Sequence, residues 1–435
     1  MHQTAKRTAA AVFSTLMLSA MPSRAQELPP GYGPHPQLPP AQENLIPTLN
    51  TSKSEPWPPG AGPTAAAGLK VVAFAKDLRH PRWMHVLPNG DVLVADAASQ
   101  PSASWAPRAV VQNWAQRRSG GIVESANRIS LLRDADGDGI AEVHTVLLEG
   151  LRQPFGMALI GKHLYIANTD SVMRYDFQVG ATSITTEGTK LFNLPVGHHW
   201  TRALLASPNG QKLFVTVGSG SNIGEKGLEI EKGRATILEF DVATGNVRTF
   251  ASGLRNANGM AFEPTSGSLW TVVNERDELG DDTPPDYLTS VKDGGFYGWP
   301  YSYWGKTVDT RVKPQRPDLV ASAITPDYAL GGHTASLGLA WYDGDQHPSQ
   351  FRGGMVIGQH GSWNRSVHSG YKVVFIPFKD GKPNGAPVDM LTGFLSADGS
   401  GKAHGRPVGV SVDKKGGLLI ADDTGNTIWR LTAQR

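Results

Sequence analysis

The chain of 435 residues carries 41 basic and 39 acidic side chains and no cysteine. A balance this close to neutral argues against a protein that binds nucleic acid or a membrane surface through charge. The absence of cysteine excludes disulfides, thiolate metal sites and a fused haem domain attached through Cys-x-x-Cys-His.

Residues 1–25 have the pattern of a secretory signal peptide. Lys6 and Arg7 precede an uncharged run at 8–21 that is too short to span a bilayer, and a small-x-small cleavage pattern ends at Ala25. We therefore expect cleavage near Ala25 and a periplasmic or secreted protein.

Two further regions follow. Residues 26–68 are rich in proline and glycine and poor in periodic apolar residues, which predicts an extended tether. Residues 69–435 exceed the usual length of one domain, roughly 100–200 residues, but no second low-complexity linker divides them. A closed repeat architecture would hold this length in one unit.

The region 69–435 contains six copies of one sequence motif. Each copy has a polar segment, here called the lead-in, followed by a short apolar strand, a turn and a second strand. The equivalent strand positions are Met84, Met157, Leu204, Met260, Leu339 and Val410. They lie 47 to 79 residues apart, whereas one blade of a WD40-type propeller needs about 40–45. We therefore predict an all-β fold, a six-bladed β-propeller with loop insertions.

The lead-ins of the repeats carry the candidate site. An arginine stands in four of them, and His199 takes the same place in the repeat that starts at Leu204. The four arginines are Arg79, Arg152, Arg255 and Arg406. In a ring of blades the lead-ins meet around one axis, which predicts one base facing a collar of cations. Such a site suits an anionic ligand.

Two acidic insertions could bind a cation. Asp134, Asp136 and Asp138 alternate as in a calcium loop, but an EF-hand needs glutamate at position twelve and Thr145 stands there, so a plain turn and a calcium site both stay open. The second insertion, at 274–282, holds five carboxylates. A solvated loop is one interpretation, but its place at the end of an inner hairpin favours cation binding by carboxylate or carbonyl oxygens. The insertion at 97–126 has no assigned role.

Six motifs in order resemble the soluble pyrroloquinoline quinone (PQQ) dependent glucose/sorbosone dehydrogenase family, particularly its L-sorbosone dehydrogenase-like branch. The resemblance runs from about Asp77 to Leu431. The motifs are GHHWTR at 197–202, GLRN at 253–256, NERDELGDD at 274–282, GGFYGWP at 294–300, HGSWNR at 360–365 and GRPVGV at 405–410.

The resemblance implies a PQQ- and calcium-dependent sugar dehydrogenase. It implies His199 as the base, with His198 as the alternative, and Arg255 with Asn256 beside the reacting quinone carbonyl. Further cofactor contacts implied are Gln153, His360, Asn364, Arg365 and Arg406. In the glucose-oxidising branch a Gly-Pro pair holds calcium through its carbonyls; here that region is the acidic loop, so the implied metal-binding residues are Glu275, Arg276, Asp277 and Glu278. The implied partners are a sugar or a sugar-derived aldehyde or alcohol, and an external electron acceptor, either a cytochrome or a membrane quinone.

Two alternatives come from other functional classes. A calcium-dependent lactonase-type propeller hydrolase would need a metal on the axis held by Glu, Asp and Asn, which a collar of arginine and histidine fits poorly. A non-catalytic binding propeller would keep its function without His199.

Overall fold

The fold is described by a computed structural model that covers residues 28–42 and 48–434. The proposed signal peptide at 1–25 lies outside the described residues, so export remains a prediction. Within the described ranges, no helix is both long and apolar enough to cross a bilayer.

Six antiparallel sheets, one for each repeat, form a six-bladed β-propeller, which confirms the predicted fold. The strands that precede the first repeat are β1 (Tyr32–Gly33), β2 (Lys53–Ser54), β3 (Thr64–Ala65) and β4 (Leu69–Ala75). Blade 1 contains β5 (Pro81–Val86), β6 (Val92–Asp96), β7 (Arg128–Arg133) and β8 (Val143–Leu148). Blade 2 contains β9 (Met157–Ile160), β10 (His163–Ala167), β11 (Ser171–Asp176) and β12 (Thr189–Asn193). Blade 3 contains β13 (Leu204–Ala206), β14 (Lys212–Val217), β15 (Thr236–Asp241) and β16 (Val247–Ser252).

The remaining blades carry additions. Blade 4 contains β17 (Ala257–Phe262), β18 (Leu269–Val273), β19 (Pro285–Ser290) and β22 (Tyr328–Gly332), with the hairpin β20 (Ser302–Tyr303) and β21 (Thr307–Val308) inserted. Blade 5 contains β23 (Ser336–Tyr342), β24 (Gly354–Gln359), β25 (Lys372–Lys379), β26 (Lys382–Pro383) and β27 (Val388–Thr392). Blade 6 contains β29 (Pro407–Val412), β30 (Leu418–Asp422) and β31 (Thr427–Ala433), preceded by β28 (Lys402–Ala403). The helices are α1 (Pro107–Arg118) and α2 (Pro317–Ser322), and short 3₁₀ turns lie at Leu228–Glu231 and Ser349–Phe351.

The ring closes by pairing two distant parts of the chain. Strand β4 is the outer strand of blade 6 and pairs antiparallel with β31, so that Leu69 lies opposite Ala433. Apolar side chains fill the space between blades; for example, the rings of Trp83 and Phe155 lie 4.8 Å apart. The core is therefore distributed between the faces of neighbouring blades.

Glycines in the repeated motif let the innermost strands approach closely. A Cβ on Gly156 would lie 2.2 Å from the Leu204 nitrogen, and one on Gly259 would lie 2.5 Å from the Leu339 nitrogen. Real Cβ atoms do not come this close to backbone atoms, so the next blade around the ring would have to shift.

Gly259→Ala is therefore expected to lower the free energy of unfolding by about 1–3 kcal/mol through overpacking. Urea unfolding followed by fluorescence measures it. Gly121→Ala is the matched control, because its Cβ would meet only Gln116 O at 3.6 Å. Equal stability of the two variants would contradict this account of the ring.

The described part of the proline-rich segment, at 28–42 and 48–68, adds strands to the propeller. Strand β1 pairs with β22 of blade 4, β2 runs parallel to β28, and β3 pairs with β27 of blade 5. The segment therefore lies along blades 4 to 6 and is not a free tether in its described part.

Candidate active site

The residues that lead into the innermost strands meet at one end of the ring. Neighbouring innermost strands lie side by side there, and the Gly156 N–H donates to Arg202 O at 2.9 Å. Arg202 is fully buried and donates to the carbonyl oxygens of His199 at 2.8 Å and Pro195 at 2.7 Å. Arg202 therefore fixes the backbone that carries the two histidines.

His199 is held in one tautomer. Its Nδ1 lies 3.1 Å from Ser219 O and 3.0 Å from Ser219 Oγ. Ser219 Oγ donates its own proton to Ser221 O at 2.6 Å, so both atoms beside Nδ1 are acceptors. These partners assign the proton to Nδ1 and leave the lone pair of a base on Nε2.

Both histidines are neutral at pH 7. Burial lowers the pKa of His199 well below its usual range, and His198 and Arg255 lower it further. Burial and Arg255 also lower the pKa of His198 to about 4. The two rings lie edge to face with centroids 4.6 Å apart. A neutral imidazole is the form that can accept a proton.

Sequence reasoning missed the groups that hold His199. They lie in the run GSGS at 218–221, directly after β14. Ser221 Oγ donates to the carboxylate of Glu231, and the Gly220 N–H donates to the same carboxylate at 2.8 Å. In the sequence these groups are visible only as a run of small residues after a strand. Such a run by itself does not indicate a hydrogen-bond partner for a histidine twenty residues earlier.

Arg255 is a buried cation that donates hydrogen bonds to four neutral oxygens. It is 3 % exposed. It donates to Asn222 O at 2.9 Å, Asn222 Oδ1 at 2.5 Å, Asn274 O at 3.0 Å and Glu275 O at 2.7 Å. None of these hydrogen bonds goes to a carboxylate, so the guanidinium forms no direct ion pair in these contacts, although its charge also acts on the carboxylates of Glu275 and Asp277.

Asn256 and His199 are neighbours across Gly218. A Cβ on Gly218 would lie 2.4 Å from Asn256 Oδ1 and 2.6 Å from the His199 Cβ. Asn256 Oδ1 is buried and has no hydrogen-bond partner among the described residues. The structure thus brings together three residues predicted from the sequence: His199, Arg255 and Asn256.

The four residues of the predicted metal loop contact different partners. Burial raises the pKa of Glu275 to about 7, although the charge of Arg255 acts to lower it. The other contacts are Arg276 with Asp309, Glu278 with Arg311 at 3.5 Å, and Asp277 with Asn364 at 2.8 Å and His333 at 3.3 Å. Although burial raises it, the hydrogen bond with His333 and the charge of Arg255 hold the pKa of Asp277 below its usual range. The Asp277 contact connects this loop to the predicted residue Asn364.

The other acidic insertion, at 134–142, brings carboxylates close enough to share a cation. Within 28–42 and 48–434, no other place brings three or more carboxylate or imidazole groups so close together. The ligand atoms of Asp134, Asp136, Asp138 and Glu142 all lie within 4.8 Å of one another. The ammonium of Lys415 lies 3.1 Å from Asp134 Oδ2. The lysine therefore supplies part of the compensating charge at this exposed loop.

A second charge cluster joins blades 5, 6 and 1 around Asp423, which is fully buried. Asp423 accepts from Arg82, and its Oδ2 lies 2.8 Å from His360 Nε2 and 3.4 Å from His80 Nε2. Arg406 donates to the His360 carbonyl at 2.9 Å. Burial lowers the pKa of His80 to about 4 and that of His360 to about 3. The cluster therefore has two positive arginines against one carboxylate at pH 7.

Arg82 was missed because the repeat pointed to Arg79. The structure leaves Arg79 exposed, and Arg152, with a side chain 64 % exposed, pairs with Asp170. The predicted collar of four arginines is thus wrong for Arg79 and Arg152. Arg82 is buried instead, with its guanidinium carbon 5.5 Å from the centroid of the Trp200 ring.

The other two predicted cofactor residues already hold loops. Gln153 Nε2 donates to Ala98 O at 2.9 Å. Arg365 donates to Asp281 O at 3.2 Å, Val367 O at 2.7 Å and Asp282 Oδ1 at 2.6 Å. The insertion at 97–126 reaches the same end of the ring, since Trp200 Nε1 donates to Ser99 Oγ at 2.8 Å.

The model of the TrAA12-like family matches residues 63–286 and 316–434. The chain belongs to the TrAA12-like family. Among curated relatives of this family member, a PQQ-dependent sugar dehydrogenase of Hypocrea jecorina is 26 % identical over 63 % of this chain and 64 % of its own length. A PQQ-dependent pyranose dehydrogenase of Coprinopsis cinerea is 24 % identical over 50 % of this chain and 35 % of its own length. An uncharacterised protein of Borreliella burgdorferi is 30 % identical over 58 % of this chain and 68 % of its own length.

Solved structures support the fold of this TrAA12-like chain. An AA12 enzyme of Trichoderma reesei has a TM-score of 0.70 at 20 % identity, covering 90 % of this chain and 100 % of that one. The holo PQQ domain of the Coprinopsis cinerea pyranose dehydrogenase has a TM-score of 0.68 at 21 % identity, covering 88 % and 100 %.

Proposed function

We propose that the chain is a PQQ-dependent oxidoreductase that oxidises sugars, with His199 as the base. The family and its named relatives support the reaction class. The observation that carries the proposal is the pairing of a neutral His199, whose Nε2 is unprotonated, with the buried cation Arg255. A base and a fixed positive charge at one point are what the removal of hydrogen from an alcohol needs.

The charges of the site fit PQQ, which carries three carboxylates. Arg255, Arg406 and Arg82 are buried, and the guanidinium groups of Arg255 and Arg406 donate to uncharged oxygens. A guanidinium can hold a carboxylate through two hydrogen bonds. We assign PQQ binding to these arginines together with Gln153, Asn256, His360 and Asn364. We assign Arg365 a structural role, because it already donates to Asp281 and Asp282 of the acidic loop.

When bound, PQQ would supply the quinone carbonyl carbon that accepts a hydride. His199 accepts the substrate hydroxyl proton at Nε2, and Ser219 O keeps the opposite nitrogen protonated and the ring in place. Arg255 stabilises negative charge that develops on oxygen beside it. Asn256 Oδ1, which lacks a partner, is available to orient a donor.

Calcium belongs to the proposal as a second requirement. Its donors would be oxygens of the loop at 275–278, with main-chain carbonyls included, because the structure turns the acidic side chains of this loop to separate partners. A lactonase-type hydrolase is less well supported, since a carboxylate cluster within the described ranges forms at Asp134 and not beside His199. We further propose that the protein is exported, that its substrate is a pyranose or related aldehyde, such as sorbosone, and that a cytochrome or quinone reoxidises it.

The test is steady-state turnover of pyranoses and sorbosone with a dye as electron acceptor, before and after reconstitution with PQQ and calcium. We expect turnover only after PQQ is added, and a loss of PQQ affinity when calcium is chelated. Turnover that needs no PQQ would contradict the proposal. PQQ-dependent turnover that is insensitive to chelation would remove calcium from it.

A further inference from the structure

The described residues of 28–68 cross the loops that carry the candidate site, and we infer that this segment, here called the strap, positions those loops for the cofactor. The inference rests on the proposed function for the identity of the ligand. Its contacts follow the chain order across blades 4, 5 and 6, with one attachment beside each group of site residues.

The first attachment is to the acidic loop of blade 4. The Gln42 N–H donates to Leu279 O at 2.9 Å, and Thr283 Oγ1 donates to Pro39 O at 2.8 Å. These contacts begin two residues after Asp277. They hold the C-terminal part of the loop whose Glu275 carbonyl contacts Arg255.

The second attachment is to the loop of blade 5. The Asn50 N–H donates to Trp363 O at 2.9 Å, and Asn50 Nδ2 donates to Arg365 O at 3.2 Å and Ser366 O at 3.0 Å. Asn364 lies between these residues and donates to Asp277 at 2.8 Å. Asn50 thus holds both sides of the residue that joins the two loops.

The third attachment is to blade 6, through Trp57. Its Nε1 donates to Asp422 Oδ2 at 3.0 Å, where Trp429 Nε1 also donates at 3.0 Å. The other carboxylate oxygen of Asp422, Oδ1, accepts a hydrogen bond from the main-chain N–H of Arg406 at 2.7 Å. Because Asp422 is fully buried, its carboxylate depends on these donors, and Trp57 acts on Arg406 through it. Asn50 and Trp57 are therefore positioning residues.

The experiment compares Asn50→Ala and Trp57→Phe with the wild-type protein. Trp57→Phe keeps an aromatic ring and removes the N–H. Hydrogen exchange of the metal- and cofactor-free protein is expected to become faster at 363–366 in the first variant and at 404–406 in the second. The Kd for PQQ is expected to rise about tenfold in Trp57→Phe, as for one lost hydrogen bond to a buried charged group, and about threefold in Asn50→Ala, whose lost bonds go to neutral main-chain carbonyls. Lys53→Ala is the matched control on the same segment, because that side chain is 53 % exposed and pairs with Glu55.

The two readouts separate this inference from the proposed function. If exchange and the Kd for PQQ stay at wild-type values in both variants, the strap does not position the site. A fall in thermal stability alone, with exchange at the site loops unchanged, would also overturn the inference. Faster local exchange in a protein whose wild type does not bind PQQ would support the strap and refute the cofactor.

Discussion

His199→Ala is expected to lower kcat by about 10²–10⁴-fold, the usual contribution of a general base. The physical reason is the loss of the unprotonated Nε2, the atom that accepts the substrate proton. The Kd for PQQ should change little, because His199 supplies no charge to the anionic cofactor at pH 7. Steady-state kinetics with a dye acceptor and a PQQ titration measure the two quantities.

His198→Ala is the matched comparison, since the two rings are in contact. It should retain most of kcat. If instead His198→Ala removes turnover and His199→Ala does not, the base is His198 and the assignment from the tautomer is wrong.

The pH profile of the wild-type protein follows from the same geometry. Burial lowers the pKa of His199 below its usual value, so the base is neutral above that lowered value and becomes protonated only when the pH falls below it. We therefore expect kcat to show no midpoint that depends on His199 between about pH 8 and pH 6, a range in which an unperturbed histidine with a pKa of about 6.5 would titrate. A midpoint near pH 7 that persists in His199→Ala would belong to Glu275, whose pKa burial raises to about 7. A midpoint near pH 6.5 that disappears in His199→Ala would contradict a lowered pKa.

Arg255→Leu is expected to reduce kcat/KM by at least about 10²-fold, the usual cost of removing one preorganised electrostatic donor. The change removes the buried charge, and it leaves Asn222 O and Glu275 O without their donor. The Kd for PQQ should also rise, which distinguishes this variant from His199→Ala.

Arg152→Leu is the matched control for Arg255, because both arginines occupy the same place in the repeat. The Arg152 side chain is 64 % exposed and pairs with Asp170, so kcat/KM should stay near the wild-type value. Equal losses in the two variants would mean that the repeat position, and not burial at the site, determines the effect.

The repeat could be predicted from the sequence because each copy meets the same local demand. An apolar strand and a glycine that fits against the next blade recur with the turn that follows them, as at Gly259. The same alignment found His199 and Arg255, since residues that lead into equivalent strands meet at one end of a ring. Asn256 was implied by the resemblance to the dehydrogenase family.

Other parts of the site depend on contacts that no local pattern records. Arg82 was missed because its partner, Asp423, lies 341 residues away and meets it only when blade 6 closes on blade 1. Ser219 was missed because its contact with His199 uses a main-chain oxygen, which every residue has. The sequence predicts only an extended tether for the strap, because its proline-rich chain lacks periodicity and several of its hydrogen bonds are made by backbone groups.

The most direct test of the central claim is the absorption spectrum of PQQ titrated into the metal-stripped protein with calcium, followed by one addition of a pyranose without any acceptor. The account predicts saturation near one PQQ per chain and a spectral change to the reduced cofactor on adding sugar in the wild type. In His199→Ala it predicts the same saturation with the spectral change slowed by at least about 10²-fold. Absence of saturable binding at micromolar PQQ, or reduction that is equally fast in His199→Ala, would contradict it.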